Sequence, residues 1–147
     1  MAAALTVVGE KWSLLVLREA FYGVRRFADF QQILGVPKAV LTDRLNTLVG
    51  EGVLQRVSYR VAGDRQRHEY RLTDKGLDLY PTLVALMQWG DRYLAGEGNA
   101  PVELQHHGCG ATAQLHLECE AGHRLSGALD VRPVLRSRHA VQPAEAG

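Results

Sequence analysis

The sequence predicts a mainly α-helical fold that carries one small β-hairpin and ends in a small ribbon-like appendage. Through residues 11–49, apolar residues recur at three- and four-residue spacing, which is the periodicity of amphipathic helices. Through residues 53–72, apolar and polar residues alternate instead, which is typical of two strands joined by a turn. A further helical pattern follows as far as Leu94, and the composition changes from about Gly96 onward.

The first two helices are each defined by an apolar stripe and a glycine stop. The first covers residues 11–21, and Gly23 follows it. The second covers residues 27–34 and stops at Gly35, a residue type that is favoured just beyond a helix C-terminus. Both are therefore predicted as short helices that face a core.

A third helix follows after a very short turn. Pro37 stands where the first turn of a helix tolerates proline, and a leucine stripe continues to a stop near Gly50 or Gly52. Only Gly35 and Val36 separate this helix from the one before it, so the two must cross steeply. That geometry is a helix-turn-helix, with the later helix as the candidate reader of DNA.

The remaining elements are a hairpin and a long final helix. Residues 53–60 and 68–72 are the predicted strands, and Gly63 lies in the basic segment between them. Thr73 is the predicted N-cap of one long helix that continues through Leu94. Because its apolar residues cover more than one face, packing within one chain cannot hide them all.

Length and composition fit one globular domain with an appendage. The chain has 147 residues, of which 46% are hydrophobic and 22% charged, as is ordinary for a globular protein. We assign residues 1–95 to a DNA-binding and dimerisation domain, 96–136 to the ribbon-like appendage and 137–147 to a disordered tail. No internal repeat is visible.

The sequence also predicts the compartment. No stretch approaches the roughly 20 apolar residues of a membrane helix, and residues 1–8 are too short and uncharged for a signal peptide. Cys109 and Cys119 are the two cysteines and form no disulfide framework. We therefore expect a cytoplasmic protein with no membrane partner.

Positive charge is concentrated where the helix-turn-helix and hairpin are predicted. The formal net charge of the whole chain is only +1. Between residues 18 and 71, however, ten basic residues stand against six acidic ones. This local excess is what a nucleic-acid-binding surface requires.

The third helix turns polar side chains away from its leucine stripe. Short polar residues there suit a major groove, where Asn pairs with adenine and Thr contacts a thymine methyl, while flanking cations reach phosphates. Asp43 fits only if it accepts from cytosine or is neutralised by a nearby arginine. The alternative is an ordinary solvated helix face. The candidate reading residues are Lys38, Ala39, Thr42, Asp43, Arg44 and Asn46.

The hairpin adds cations directly after this helix and thereby favours the DNA-reading interpretation. Long basic side chains at a hairpin tip can follow the DNA backbone or enter the minor groove. A loop kept in solution by its charge is the alternative, but it does not account for the spacing of the preceding helices. The candidate wing and flank residues are Arg26, Arg60, Arg65, Gln66, Arg67 and His68. Together these elements predict a winged helix-turn-helix that binds double-stranded DNA.

Four blocks in order resemble the HxlR-type transcriptional regulators over roughly residues 8–90. The blocks are GEKW at 9–12 with LLVLRE at 14–19, RRF at 25–27 with Phe30, LTDRL at 41–45, and EYRLT at 69–73 followed by Gly76, Leu79, Pro81, Leu83, Leu86 and Trp89-Gly90. The resemblance implies a homodimer on an inverted repeat, with helices from both chain ends in the dimer core. The apolar excess of the last helix agrees with this, and the candidate interface residues are Leu83, Leu86, Met87, Trp89 and Tyr93.

The chain departs from the family at both ends. Family members commonly begin with a Cys-Pro segment, whereas this chain opens with Met1 and three alanines, so thiol sensing there is not implied. Some members end in a ribbon with His-x-x-Cys-Gly and Cys-x-x-Cys motifs, and Gly122 here takes the place of the last cysteine. We favour a metal-free ribbon held by leucines, and expect no cofactor. The alternative is a zinc site formed by His106, Cys109, Cys119 and His123.

Other functional classes fit less well. No phosphate-binding or dinucleotide-binding glycine loop is present, and no nucleophile stands beside a base, so we expect no enzyme. The main alternative is a winged-helix protein-interaction or ligand-sensing module without specific DNA binding, which Asp43 on the reading face would suit. Trp12 and Trp89 fit the core or the dimer interface, with a pocket for an unidentified small-molecule effector as the alternative.

Overall fold

The computed structural model describes residues 1–59, 67–96 and 99–134, and the chain divides into two compact units, Met1–Val102 and Glu103–Gly147. The elements of the first unit are α1 (Ala2–Val8), α2 (Lys11–Phe21), α3 (Phe27–Leu34), α4 (Lys38–Gly50), β1 (Leu54–Tyr59), β2 (Arg67–Leu72), α5 (Asp74–Leu77) and α6 (Tyr80–Tyr93). The predicted fold class is confirmed: the unit is mainly helical with one antiparallel hairpin.

The helix-turn-helix of α3 and α4 forms where the sequence predicts it. Gly35 caps α3 with φ +60°, a left-handed conformation that glycine adopts without steric cost, and its N–H donates to the Gln31 carbonyl. Pro37 is the N-cap of α4, one position before the predicted first turn, because its carbonyl already accepts from Leu41 N–H.

The core of this unit lies between α2, α3, α4 and the hairpin. Leu41, Leu45 and Leu48 form the buried stripe of α4, and Phe30 is the buried residue of α3. The full cluster is Val16, Leu17, Phe30, Val36, Leu41, Leu45, Leu48, Val53, Leu54 and Tyr70. Burial of one face of α4 leaves its opposite face to solvent.

The hairpin is tied to the start of α3. Its two strands pair from Leu54 with Leu72 to Tyr59 with Arg67. Tyr70 N–H donates to the Arg25 carbonyl at 2.7 Å, and Arg26 forms a β-bridge with Glu69. These bonds fix the middle of β2 against the residues that lead into α3, while the predicted tip lies outside the described residues.

The prediction of one long final helix from Thr73 to Leu94 is wrong, because the structure has the two helices α5 and α6. Thr73 does act as an N-cap, since its Oγ1 accepts from Gly76 N–H at 3.2 Å. Pro81 lies in the first turn of α6, where it can donate no hydrogen bond to the preceding turn. The chain therefore breaks between α5 and α6.

Helix α1 is an element that the sequence pattern does not predict. Its alanine-rich start shows no apolar stripe, but Val7 and Val8 pack against the core cluster. Contact with the core thus accounts for this helix, which the spacing of apolar residues does not predict. None of the described helices is long and apolar enough to cross a membrane.

The second unit contains a short antiparallel pair and little packing. Its strands are β3 (Leu117–Glu118) and β4 (Arg124–Leu125), followed by a 3-10 turn at Ala128–Asp130. None of residues 103–134 is buried. The domain boundary is predicted between residues 95 and 96, whereas the structure divides the chain seven residues later, between Val102 and Glu103.

Candidate nucleic-acid interface

Helix α4 presents the predicted reading residues on its solvent face. Lys38, Ala39, Thr42, Asp43 and Asn46 are exposed, and Arg44 is half-buried at the flank of the leucine stripe. The three buried leucines of the stripe fix the rotation of the helix. The face that remains is polar and consists mainly of short side chains.

Asp43 is paired with its neighbour on the same helix. Arg44 Nε donates to Asp43 Oδ2 at 3.1 Å, and a second guanidinium nitrogen contacts the same oxygen. Neutralisation by a nearby arginine is one of the two ways in which Asp43 is expected to fit beside DNA, the other being acceptance from cytosine. The reading face therefore carries no uncompensated negative charge at this position.

The threonine hydroxyls of α4 are engaged with the helix backbone. Thr42 Oγ1 donates to the Lys38 carbonyl at 2.8 Å, and Thr47 Oγ1 donates to the Asp43 carbonyl at 3.0 Å. Because each hydroxyl has one proton, Thr42 is left with its methyl group and oxygen lone pairs for a partner.

Asn46 contacts an arginine that the sequence analysis does not single out. Arg56 of β1 donates to Asn46 Oδ1. The Arg56 guanidinium also lies 5.7 Å from the centre of the Tyr70 ring. The sequence shows Arg56 only as one of the polar residues of a predicted strand. The packing of β1 beside α4 brings its side chain to the reading face.

A groove lies between the start of α3 and the end of the paired strands that is next to the hairpin tip. It has a volume of about 400 Å³ and brings together Arg26, Arg67 and His68 of the predicted wing and flank residues. The Arg26 guanidinium lies 5.2 Å from the centre of the Tyr59 ring. The full lining is Arg26, Phe27, Ala28, Tyr59, Arg67, His68 and Tyr70. Arg60, Arg65 and Gln66 lie outside the described residues.

The predicted interface residues on α6 fall into two groups that differ in exposure. Leu86, Trp89 and Tyr93 are 50%, 53% and 63% exposed, and the rings of Trp89 and Tyr93 are 5.7 Å apart. Leu83 is half-buried against the core cluster, and Met87 Sδ accepts from Tyr22 Oη at 3.9 Å. One exposed apolar stripe remains. Trp12, in contrast, packs partly against the core.

The second unit holds its cysteines and histidines as two separate pairs. His106 Nδ1 is 3.3 Å from Cys109 Sγ, and Cys119 Sγ is 3.5 Å from His123 Nδ1. Backbone N–H groups of His123 and then Ala121 hydrogen-bond the sulfur and lower the pKa of the Cys119 thiol. Across the described ranges, no three His, Cys, Asp or Glu side chains are grouped so that they could hold a metal ion.

Comparison with known proteins identifies relatives over most of the chain. The profile of the HxlR-like helix-turn-helix family matches residues 7–97. An uncharacterized HTH-type transcriptional regulator of Mycobacterium tuberculosis is 51% identical over 116 residues, which cover 79% of this chain and 72% of the relative.

Two solved structures resemble the present one over most of the chain. The candidate transcription factor PA1607 is 39% identical, with a TM-score of 0.78 over 88% of this chain and 89% of that one. A second candidate transcription factor, PA1374 from Pseudomonas aeruginosa, is 33% identical, with a TM-score of 0.65 over 96% of this chain and 94% of that one.

Proposed function

Since the chain belongs to the HxlR-like helix-turn-helix family, whose relatives here are named transcriptional regulators, we propose that it binds a specific inverted-repeat operator as a homodimer. The observation that carries the proposal is the exposed polar face of α4, in a unit whose α3 and hairpin also form a groove lined by Arg26, Arg67 and His68. A helix that reads bases needs such neighbouring cations to hold the phosphates.

In the proposed complex, α4 lies in the major groove and the cationic groove faces the DNA backbone. The exposed residues of α4 contact base edges, whereas Arg26 and Arg67 fix the register through phosphates. A dimer would place its two reading helices in successive major grooves, about 10 base pairs apart. The hairpins would then lie on the flanks of the operator.

The exposed stripe of α6 supports a second copy of the chain as the dimer partner. Three large apolar side chains, Leu86, Trp89 and Tyr93, recur at three- and four-residue spacing and are half or more exposed. Contiguous exposed apolar surface of this kind marks association sites. Leu5 on α1 is also 56% exposed, in keeping with the contribution of both chain ends that the family resemblance implies.

A protein-interaction or ligand-sensing module is less well supported. The sequence feature that favours this alternative is Asp43, and in the structure Arg44 compensates its charge. We propose no enzymatic activity. A cytoplasmic location follows from action on chromosomal DNA and is part of the same proposal.

Fluorescence anisotropy tests the proposal with a duplex from the gene's own upstream region and a scrambled duplex of the same composition, across several salt concentrations. We expect a preference of about a thousandfold or more for the upstream duplex, and an affinity that falls steeply with salt as counterions are released. Absence of binding to either duplex at low salt would contradict the proposal and favour an interaction module.

A further inference from the structure

We propose that Arg56 is a positioning residue that determines base specificity, because it fixes the side-chain amide of Asn46 with its donor group free for DNA. The inference rests on the proposed function, since it assumes that α4 reads base edges. It concerns a residue on β1, outside the reading helix.

Arg56 is an exposed residue of β1 that contacts both the buried ring of Tyr70 and the reading helix. It lies opposite Tyr70 in the hairpin register, and its guanidinium lies 5.7 Å from the centre of that ring. Tyr70 is itself 8% exposed, and its N–H donates to the Arg25 carbonyl. The far end of the Arg56 side chain donates to Asn46. A buried ring thus supports the cation that contacts the reading face.

The chemistry of guanidinium settles which end of the Asn46 amide faces Arg56. Guanidinium carries only donors, so the atom that it contacts must be the oxygen, Oδ1. The Nδ2 group is on the other arm of the amide and is directed away from Arg56. An asparagine without such a partner can turn its amide over and present either a donor or an acceptor.

This fixed orientation predicts which bases Asn46 accepts. Guanine, adenine and thymine each offer an acceptor in the major groove, which an Nδ2 donor can use. Cytosine offers only its N4 amino donor there, which requires an acceptor. With Nδ2 presented, Asn46 therefore discriminates against cytosine, and the discrimination depends on Arg56.

The test is selection of bound sequences from a pool of random duplexes by the full-length chain and its variants. Loss of preference in Asn46→Ala identifies the position that Asn46 contacts in each half-site. At that position the unchanged protein should deplete cytosine about tenfold or more. In Arg56→Met, which keeps an apolar side chain over Tyr70 but removes the donors, cytosine should return to the frequency of the other bases.

A matched control separates this effect from loss of charge. Arg71→Met also removes one cation from the hairpin, but Arg71 pairs with Glu69 at 3.1 Å and not with α4. It should keep the depletion of cytosine. Adding Arg56→Met to Asn46→Ala should cause no further change at that position, because the two residues act through one contact.

The possible results decide between the inference and its alternatives. If Arg56→Met weakens binding to every sequence alike and cytosine stays depleted, Arg56 is a phosphate contact and the inference is wrong. If the unchanged protein enriches no sequence at all, the proposed function fails, and this inference fails with it.

A measurement without DNA tests the fixing of the amide by itself. Nitrogen-15 relaxation of the Asn46 side-chain amide should show a rigid group in the unchanged protein and a mobile one in Arg56→Met. Equal mobility in both would overturn the inference whatever the selection shows, while leaving the proposed function intact.

Discussion

At the scale of single residues, the cations of the groove and the polar residues of α4 have different roles in the account. Arg67→Ala should weaken binding to the operator and to a scrambled duplex by the same factor, because a phosphate contact carries no sequence information. The slope of log affinity against log salt should become shallower by about 0.9. Anisotropy titrations at several salt concentrations measure both quantities.

Asn46→Ala is the contrasting variant for this experiment. It should reduce the preference for the operator and leave the salt slope unchanged. Identical behaviour of Arg67→Ala and Asn46→Ala would mean that the groove and the reading helix are not distinguished as we propose.

The Cys119 thiol provides a prediction on pH dependence. Its pKa is lowered because backbone N–H groups of His123 and Ala121 hydrogen-bond the sulfur, so more of it is thiolate at a given pH below the ordinary range. In Cys109→Ser, where Cys119 is the remaining cysteine, the rate of alkylation by iodoacetamide should therefore reach half its maximum at a lower pH in the folded protein than in concentrated urea. The same midpoint in both states would show that the folded loop does not stabilise the thiolate.

The sequence predicts which residues lie on the exposed face of α4, but it does not predict their hydrogen bonds. Helical periodicity places Asp43 and Asn46 opposite the leucine stripe, since this requires only the rotation of one helix. The contact of Asn46 with Arg56 depends on how β1 packs beside α4, over a separation of ten residues. No local pattern carries that information, so Arg56 is found only in the structure.

At the scale of elements, α5 packs so closely on the strand region that one of its positions requires glycine. A Cβ at Gly76 would lie 2.3 Å from the Val53 carbonyl oxygen, which belongs to the backbone and cannot move aside easily. Gly76→Ala should therefore lower the free energy of unfolding by about 1–3 kcal/mol. The midpoint of urea unfolding measures this loss.

Gly50 at the end of α4 is the matched control. A Cβ there meets no atom within 4 Å, so Gly50→Ala should be neutral or stabilise the helix by up to about 1 kcal/mol. Equal destabilisation by both substitutions would show that the effect at Gly76 does not come from contact with Val53.

In the proposed dimer, the exposed stripe of α6 forms the interface. Trp89→Glu should convert the dimer to a monomer in light scattering, because it places a charge in the proposed apolar interface. Ile33→Glu on α3 makes the same kind of change at a side chain with nearly equal exposure, 54% against 53%. It should leave the dimer intact. A dimer that survives Trp89→Glu would place the interface elsewhere.

The elements themselves follow from the sequence wherever local signals agree. Three helices and the hairpin are predicted close to their observed bounds because apolar periodicity, glycine stops and alternation all indicate the same boundaries. The last helix is predicted as one because its apolar pattern continues past Pro81, and the steric effect of proline outweighs that pattern. Helix α1 has no such pattern and depends on tertiary contact.

At the scale of the whole molecule, the two units differ in how they are stabilised. Among the described residues, the first unit has a cluster of ten buried side chains, whereas the second has no buried residue. The family profile, at residues 7–97, likewise falls within the first unit. The proposed DNA binding therefore depends on the first unit and on its proposed association into a dimer.

Hydroxyl-radical footprinting on an operator fragment tests that central claim most directly, because it reports where the protein lies along both strands. We predict two protected patches about 10 base pairs apart, related by the dyad of the inverted repeat, with flanking protection from the hairpins. A single patch without a dyad, or uniform protection along the fragment, would contradict a dimer with one reading helix per half-site.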